Sequence, residues 1–204
     1  MIIYVPEDVI DRLNSQLQRM PEMIPDVLRK TINDTAKTTR RKIATQAQKI
    51  YTVKTGTFNK SMKIENATQK YPQATIHAEG SPTALYGFKR RKNIGSTAAK
   101  AQVLTAGSLK ELVSRKSDIF GKDIKAFVQT TKNGHTGIFQ RMTFSERMKS
   151  TSKKRNAIKQ LYAPSIPQMV GNEKRVYSEV QPFIAEELRK NLEKHIAAVM
   201  DGIV

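Results

Sequence analysis

Three histidines, His77, His135 and His195, and a sparse set of carboxylates are the residues of this chain whose types could do chemistry. Imidazoles at metal-ligand spacing, as in His-Glu-x-x-His, hold zinc, and an imidazole beside a serine or cysteine serves as general base for a nucleophile. Neither spacing occurs: the histidines are far apart in sequence, and none has a second histidine or a carboxylate at ligand distance along the chain. Asp118 and Asp123 flank Gly121 without a third partner of catalytic type. Cysteine is absent, which removes thiol nucleophiles, Cys-ligated metals and disulfides. Gly80, Gly87, Gly95, Gly107 and Gly121 form neither a Walker loop nor a Gly-x-Gly-x-x-Gly turn, and no Gly-x-Ser-x-Gly elbow appears. The chain is therefore read as a non-enzyme, with no catalytic, cofactor-binding or metal-ligating residues assigned. His135 is expected to use its ring for local hydrogen bonding at a turn, and His195 to flank the apolar face of a helix.

Cations are abundant instead. The chain holds 36 Lys and Arg against 18 Asp and Glu, a net charge of +18. A field of that sign favours nucleic acid or acidic protein surfaces and makes encounter salt-dependent. Two runs concentrate it: Lys89, Arg90, Arg91 and Lys92, and then Arg147, Lys149, Lys153, Lys154 and Arg155, with Glu146 the one acidic residue of the second segment. These nine are the candidate contacts to an acidic neighbour or to nucleic acid. Tyr86 and Phe88 border the first run, but no aromatic alternation builds a base-stacking platform. Contact to phosphate or to acidic surface is expected rather than base reading.

The elements that position these residues follow from periodicity. An apolar fraction of 38% and an aromatic fraction of 6% predict a thin core of aliphatic helix stripes and a sheet face. Residues 6–20 read as a short helix with Glu7 and Asp8 in its first turn, broken by Pro21. A long basic helix follows from about 25 to 51. Its apolar stripe is Leu28, Ile32, Ala36, Ile43, Ala47 and Ile50, with Thr35 and Thr39 on the same face. Residues 61–69 and 74–79 alternate as antiparallel strands. From 80 to about 100 the composition is that of a loop, residues 102–105 suit a short strand, and Ser108 with Glu111 suggests one or two helical turns over 109–113. Residues 125–131 and 136–142 form a hairpin around Lys132-Asn133-Gly134-His135, since Asn-Gly readily takes positive φ. Ile138 and Phe139 alternate, so one of the two should pack inward. Residues 145–159 read as a polar insertion, 158–163 as a short strand ending at Pro164-Ser165-Ile166-Pro167, and the rest as a long helix. Val176, Val180, Phe183, Ile184, Leu188, Leu192, Ile196, Val199 and Ile203 keep one face of that helix, with a kink or displaced start expected at Pro182. The fold class is α+β: an antiparallel sheet packed against long N- and C-terminal helices, with long basic loops. A single domain is expected over 1–204, with helices at about 6–51, sheet and loops at about 57–168 and the last helix at about 173–200. The N-terminus is apolar for only five residues before Glu7-Asp8, so no signal peptide is expected, and no apolar run reaches membrane-span length.

The distal half carries a resemblance. Phe127-Val128, then Gly134-His135-Thr136-Gly137-Ile138-Phe139-Gln140-Arg141, then Ile158-Lys159-Gln160-Leu161-Tyr162-Ala163-Pro164-Ser165 and the long helix resemble the prophage minor tail protein Z family. The family's Gly-His-x-Gly-x-Phe-x-Arg segment falls on Gly134, His135, Gly137, Phe139 and Arg141, and its Leu-Tyr-Gly-Pro-Ser-like segment on Leu161, Tyr162, Pro164 and Ser165. Ala163 stands where a glycine is common. The N-terminal half agrees only in the order of its elements.

The resemblance implies a structural virion protein without catalysis or cofactor. It would complete the tail at its head-proximal end, the neck, and help join it to the head. It would act as a ring of six subunits around the DNA channel, between the tail-terminator or tail-tube proteins and the head connector, after assembly in the host cytoplasm. DNA in the channel is a further partner under this reading. No membrane partner is expected. Within it, Asn133 and Gly134 make the turn, and Arg141 fixes the hairpin base or meets an intersubunit carboxylate. Tyr162, Pro164 and Pro167 shape the entry to the last helix. The alternative reading is a basic nucleic-acid-binding protein contacting the phosphate backbone.

Overall fold

The computed structural model describes residues 1–3, 5–18, 20–90, 99–112, 116–117, 121–151 and 157–202. Its helices are α1 (Glu7–Gln16), α2 (Ile24–Ile50), α3 (Thr57–Lys60), α4 (Phe144–Lys149), α5 (Ile166–Val170) and α6 (Ser178–Met200). Its strands are β1 (Ile2–Ile3), β2 (Met62–Glu65), β3 (Ala74–Ala78), β4 (Pro82–Ala84), β5 (Lys89–Arg90), β6 (Lys100–Gln102), β7 (Lys110–Glu111), β8 (Phe127–Thr130), β9 (Thr136–Arg141), β10 (Ile158–Gln160) and β11 (Tyr162–Ser165). The fold is mixed helix and sheet, with long helices near both ends. Among the described residues, every strand pairing is antiparallel, in four small sheets ordered β1-β3-β2, β5-β6-β7, β11-β4 and β10-β9-β8. The expected strand pair is present, with Met62 opposite Ala78 and Ile64 opposite Ile76.

The chain divides into two compact units. The first comprises Met1–Ala47, Gly56–Gly80 and Ile166–Val204; the second comprises Gln48–Thr55 and Ser81–Ser165.

In the first unit the helical stripes meet as their periodicity requires. Val9, Leu13 and Leu17 from the α1 segment, Val27 from α2, and Leu188, Leu192, Ile196 and Val199 from α6 form one buried cluster. Each such aliphatic side chain stabilises the folded state by about 1.5–3 kcal/mol when fully buried. The predicted stripe of α2 is buried at Ile32, Thr35, Ala36, Thr39, Ile43 and Ala47. Polar residues outside the predicted stripe join this core as well: Thr31 is fully buried, and Asn191 is 7% exposed and donates from Nδ2 to Thr35 Oγ1 at 3.1 Å. Asn33 clasps the loop after β2 from both sides, donating to the Ala67 carbonyl at 3.1 Å and accepting from its N–H at 2.7 Å. A side-chain amide thereby imitates a backbone pair.

α6 begins at Ser178, after a π-type turn over Glu173–Tyr177 whose first N–H groups are capped by Asn172. Pro182 is the fifth residue of the helix, so the bond its N–H would have made to the Ser178 carbonyl is missing. The helix begins at Ser178 and runs through Pro182, so the start is not displaced to the proline. Ile203 lies outside the described residues.

The second unit departs further from the expectations. The stretch after Gly80 is not loop throughout: β4, a 3₁₀ turn at Leu85–Gly87 and β5 occupy it, and Leu85 and Phe88 are buried. The helical turns expected at 109–113 are replaced by β7, whose Lys110 and Glu111 pair with Ala101 and Lys100 of β6. A helix that short carries the cost of nucleation without enough bonds to offset it, whereas strand pairing supplies partners at once. The strand expected at 102–105 lies earlier, at Lys100–Gln102. The insertion after 145 contains α4, opened by a capping box. Thr143 Oγ1 accepts from the Glu146 N–H at 3.2 Å, and Glu146 Oε2 accepts from the Thr143 N–H at 3.1 Å.

Both Ile138 and Phe139 are buried, not one of them. β9 is the central strand of its sheet and is covered on both faces, so alternation in sequence does not produce alternation in burial.

Candidate functional site: the β8–β9 hairpin and its basic cleft

β8 and β9 pair from Phe127 opposite Phe139 to Thr130 opposite Thr136. Their connection is a loop over 131–135, closed by the Thr131 N–H donating to the His135 carbonyl at 2.8 Å and the Gly134 N–H donating to the Thr131 carbonyl at 3.0 Å. Gly134 has φ +76°, while no described non-glycine residue has positive φ. Asn133 therefore does not share the left-handed conformation expected of it, since the longer loop needs one such residue, not two.

The motif residues converge on a side chain that the motif reading did not single out. Gln160, on β10 opposite Phe139, places its Oε1 3.2 Å from His135 Nε2 and 3.3 Å from the Tyr162 hydroxyl. Both partners can donate to that oxygen, which matches the assigned orientation of the amide. Its Nε2 then lies over Gly137, where an added β-carbon would stand 3.2 Å away. The Phe139 ring closes the same space, at 3.1 Å from that position, and stands 6.5 Å from the Phe127 ring centroid. The His135 ring thus serves in a structural hydrogen bond, but one reaching 25 residues along the chain to a neighbouring strand rather than within its own turn.

The Leu161 backbone continues this link, donating its N–H to the Ile138 carbonyl and accepting from the Leu85 N–H. Pro164 sits where the register of β11 against β4 shifts, between Ala163 opposite Thr83 and Ser165 opposite Pro82. A residue without an N–H suits that irregularity.

The candidate basic residues separate. Lys89 and Arg90 form β5, and Arg90 is engaged locally: Nη1 donates to the Tyr86 carbonyl at 2.6 Å, and the guanidinium stacks 3.6 Å from the Tyr86 ring centroid. Arg147 and Lys149 lie on α4, with Lys149 exposed. Arg91, Lys92, Lys153, Lys154 and Arg155 lie outside the described residues.

What the structure does bring together is a cleft of about 700 Å³ in the second unit, beside the β8–β9 hairpin. Arg141 and Arg147 line it together with Lys122 and Lys125, and among the described residues Asp123 is the one acidic residue in its wall. Its apolar surface includes Phe127, Val128 and Phe144. Lys122 and Lys125 were missed because they stand singly in a segment without periodicity. Asp118 and Asp123 flank Lys122 and offset its charge in any local count.

The net charge divides unevenly between the units. The second holds 20 Lys and Arg against 4 Asp and Glu, while the first holds 16 against 14. The basic character of the chain is therefore a property of the unit that carries the hairpin.

The other histidines are partnered in the first unit. His77 Nε2 meets Glu65 Oε2 at 2.9 Å across β2 and β3, and His195 Nε2 meets Asp34 Oδ2 at 3.1 Å. His195 is more than a flanking residue: its side chain is 14% exposed and ties α6 to α2. Burial pushes the Asp34 carboxyl up, but the hydrogen bond and charge of Lys37, with His195, outweigh it and hold the group below the usual carboxylate range. Among the described residues, no three potential metal ligands come together, and no helix is long and apolar enough to cross a membrane.

No curated protein and no solved structure matches the chain. The family model described as prophage minor tail protein Z matches residues 6–201, almost the whole length and including both motif segments gathered around Gln160. The chain belongs to the prophage minor tail protein Z family and is a structural protein of a phage tail.

Proposed function

We propose that this protein completes the tail at its head-proximal end and helps join it to the head, as a ring of six subunits around the DNA channel. The observation that carries this reading is the family match over residues 6–201. The hairpin supports it as a built structural element: its motif side chains bond to one another through Gln160 rather than to an open reaction site. Heterologous contacts that close by rotation generate such rings. The tail-terminator or tail-tube proteins and the head connector are the neighbours under this reading, and no catalytic step is assigned. The test is a null mutant examined by electron microscopy. Complete tails that fail to join filled heads are expected, and normal infectious particles would overturn the proposal. Label density on assembled particles should lie at the neck.

The charge division favours a second reading, in which the second unit contacts the phosphate backbone of DNA in the channel. Filter binding to duplex DNA should then show a steep fall of log affinity with log salt. Absence of retention at low salt disposes of it.

A further inference from the structure

We propose that the cleft beside the β8–β9 hairpin is a receptor for an acidic protein segment bearing a large apolar side chain. The proposal does not depend on where in the virion the protein sits.

The first support is charge. Among the described lining residues, Lys122, Lys125, Arg141 and Arg147 outnumber the one carboxylate, Asp123, within a unit of 20 basic and 4 acidic residues. An anionic occupant is drawn to such a concave surface by the summed field and is held at short range by charge-assisted hydrogen bonds.

The second support is the apolar part of the wall. Phe144 stands at the start of α4 and is 50% exposed, and Phe127 is only partly covered. A phosphate backbone has no group that would use these rings, whereas a leucine or phenylalanine of a peptide would bury them. The Arg147 guanidinium lies 5.7 Å from the Phe144 ring centroid, and a half-exposed aromatic ring beside a cation is the usual composition of an interface anchor site, with an apolar centre and a polar rim.

Size is the third support. About 700 Å³ lies within the range of pockets that enclose several side chains, which is enough for a short segment and too confined for a duplex.

Position gives the occupant its selectivity. Arg141 is the last residue of β9, and Thr143, two residues later, caps α4, which carries Phe144 and Arg147. The hairpin that the family motif builds therefore sets the spacing between cation and anchor ring. The capping box fixes where α4 begins, so the anchor ring is placed by structure rather than by a flexible loop.

The experiment uses the full chain and fluorescence anisotropy. The probe is a fluorescein-labelled peptide, Glu-Asp-Leu-Phe-Glu-Asp, compared with a counterpart in which Leu and Phe are Ser, and with a short DNA duplex as competitor. The Leu/Phe peptide is expected to bind about tenfold more tightly than the Ser peptide, and more weakly as salt rises. Lys122→Glu with Lys125→Glu should weaken it by about tenfold or more. Phe144→Ser should remove the preference between the two peptides, and Lys60→Glu in the first unit should change neither. Circular dichroism of each variant establishes that it is folded, and the salt and peptide comparisons on the parent chain stand without any variant. No binding at low salt, equal affinity for the two peptides, or an unchanged Lys122/Lys125 double variant overturns the proposal. Displacement by the duplex at lower concentration than by unlabelled Leu/Phe peptide overturns it in favour of nucleic acid.

Discussion

The Gln160 amide nitrogen lies 3.2 Å from where a β-carbon on Gly137 would stand, so the glycine and the glutamine occupy one shared space in the sheet. Gln160 is held there by His135 and Tyr162, and the Phe139 ring fills the remainder. The second glycine of the family segment is therefore kept small by packing, with no requirement for positive φ.

Gly137→Ala tests that statement. Alanine in a strand removes about 0.5–1 kcal/mol of backbone entropy cost relative to glycine. Overpacking against a buried ring costs about 1–3 kcal/mol. The second term is larger, because Phe139 is 6% exposed and its ring lies beside the tilted Phe127 ring at 6.5 Å between centroids, leaving it little room to yield. A net loss of about 1 kcal/mol is expected in urea unfolding. An alanine variant as stable as the parent would show that the space is not shared.

Gly134 makes the contrasting case. A β-carbon there meets nothing within 4 Å, and only its φ of +76° opposes substitution. Gly134→Ala should cost about 1–2 kcal/mol through left-handed strain, and Gly134→Asn distinctly less. Asparagine at 137 should be tolerated worse than alanine. Comparable melting temperatures for Gly134→Ala and Gly134→Asn would contradict the assignment of backbone strain.

The buried Asn191–Thr35 bond predicts non-additive substitutions. Thr35→Val leaves the Asn191 amide without its partner and should cost about 1–3 kcal/mol. Adding Asn191→Leu removes the unsatisfied amide along with its partner, so the double variant should recover much of that loss. Chemical denaturation of the two singles and the double measures the coupling. Strictly additive effects would mean that the bond contributes nothing.

Acid should weaken the first unit through Asp34. Its folded-state carboxyl lies below its unfolded value, so its contribution is present above the ordinary carboxyl range, roughly pH 3.9, and is lost as pH falls through the folded value. Asp26, held low by hydrogen bonds from Lys30 and Arg29, acts in the same direction. Asp34→Asn should lower stability near neutrality and flatten its dependence on pH below about 4. Urea midpoints across that range supply the check, and an unchanged slope would count against the Lys37–Asp34–His195 arrangement as its source.

The sequence by itself determined the long helices, the hairpin and the family. Repeats of 3.6 residues, alternation, and turn chemistry are local, and the stripes that bury Ile32, Ala36, Leu188 and Leu192 could be read directly from them. The motif residues could be listed in the same way, but the reason for their company could not. Gln160 joins His135, Gly137 and Tyr162 only because β10 lies beside β9 in one register. The short strands β4, β5 and β7 were hidden for a related reason: two or three residues carry no period, and partners distant in sequence decide their pairing.

Tertiary structure alone decided where the charge would act. The second unit is assembled from two separated stretches, 48–55 and 81–165; the longer one already holds 18 Lys and Arg against 4 Asp and Glu in sequence, and the fold adds Lys49 and Lys54 to it. Sequence proximity did not place Lys122 and Lys125 beside Arg141 and Arg147 in one cleft. Hydrophobic periodicity records which face of an element is buried. It carries no record of which exposed cations on different segments the folded backbone will bring together.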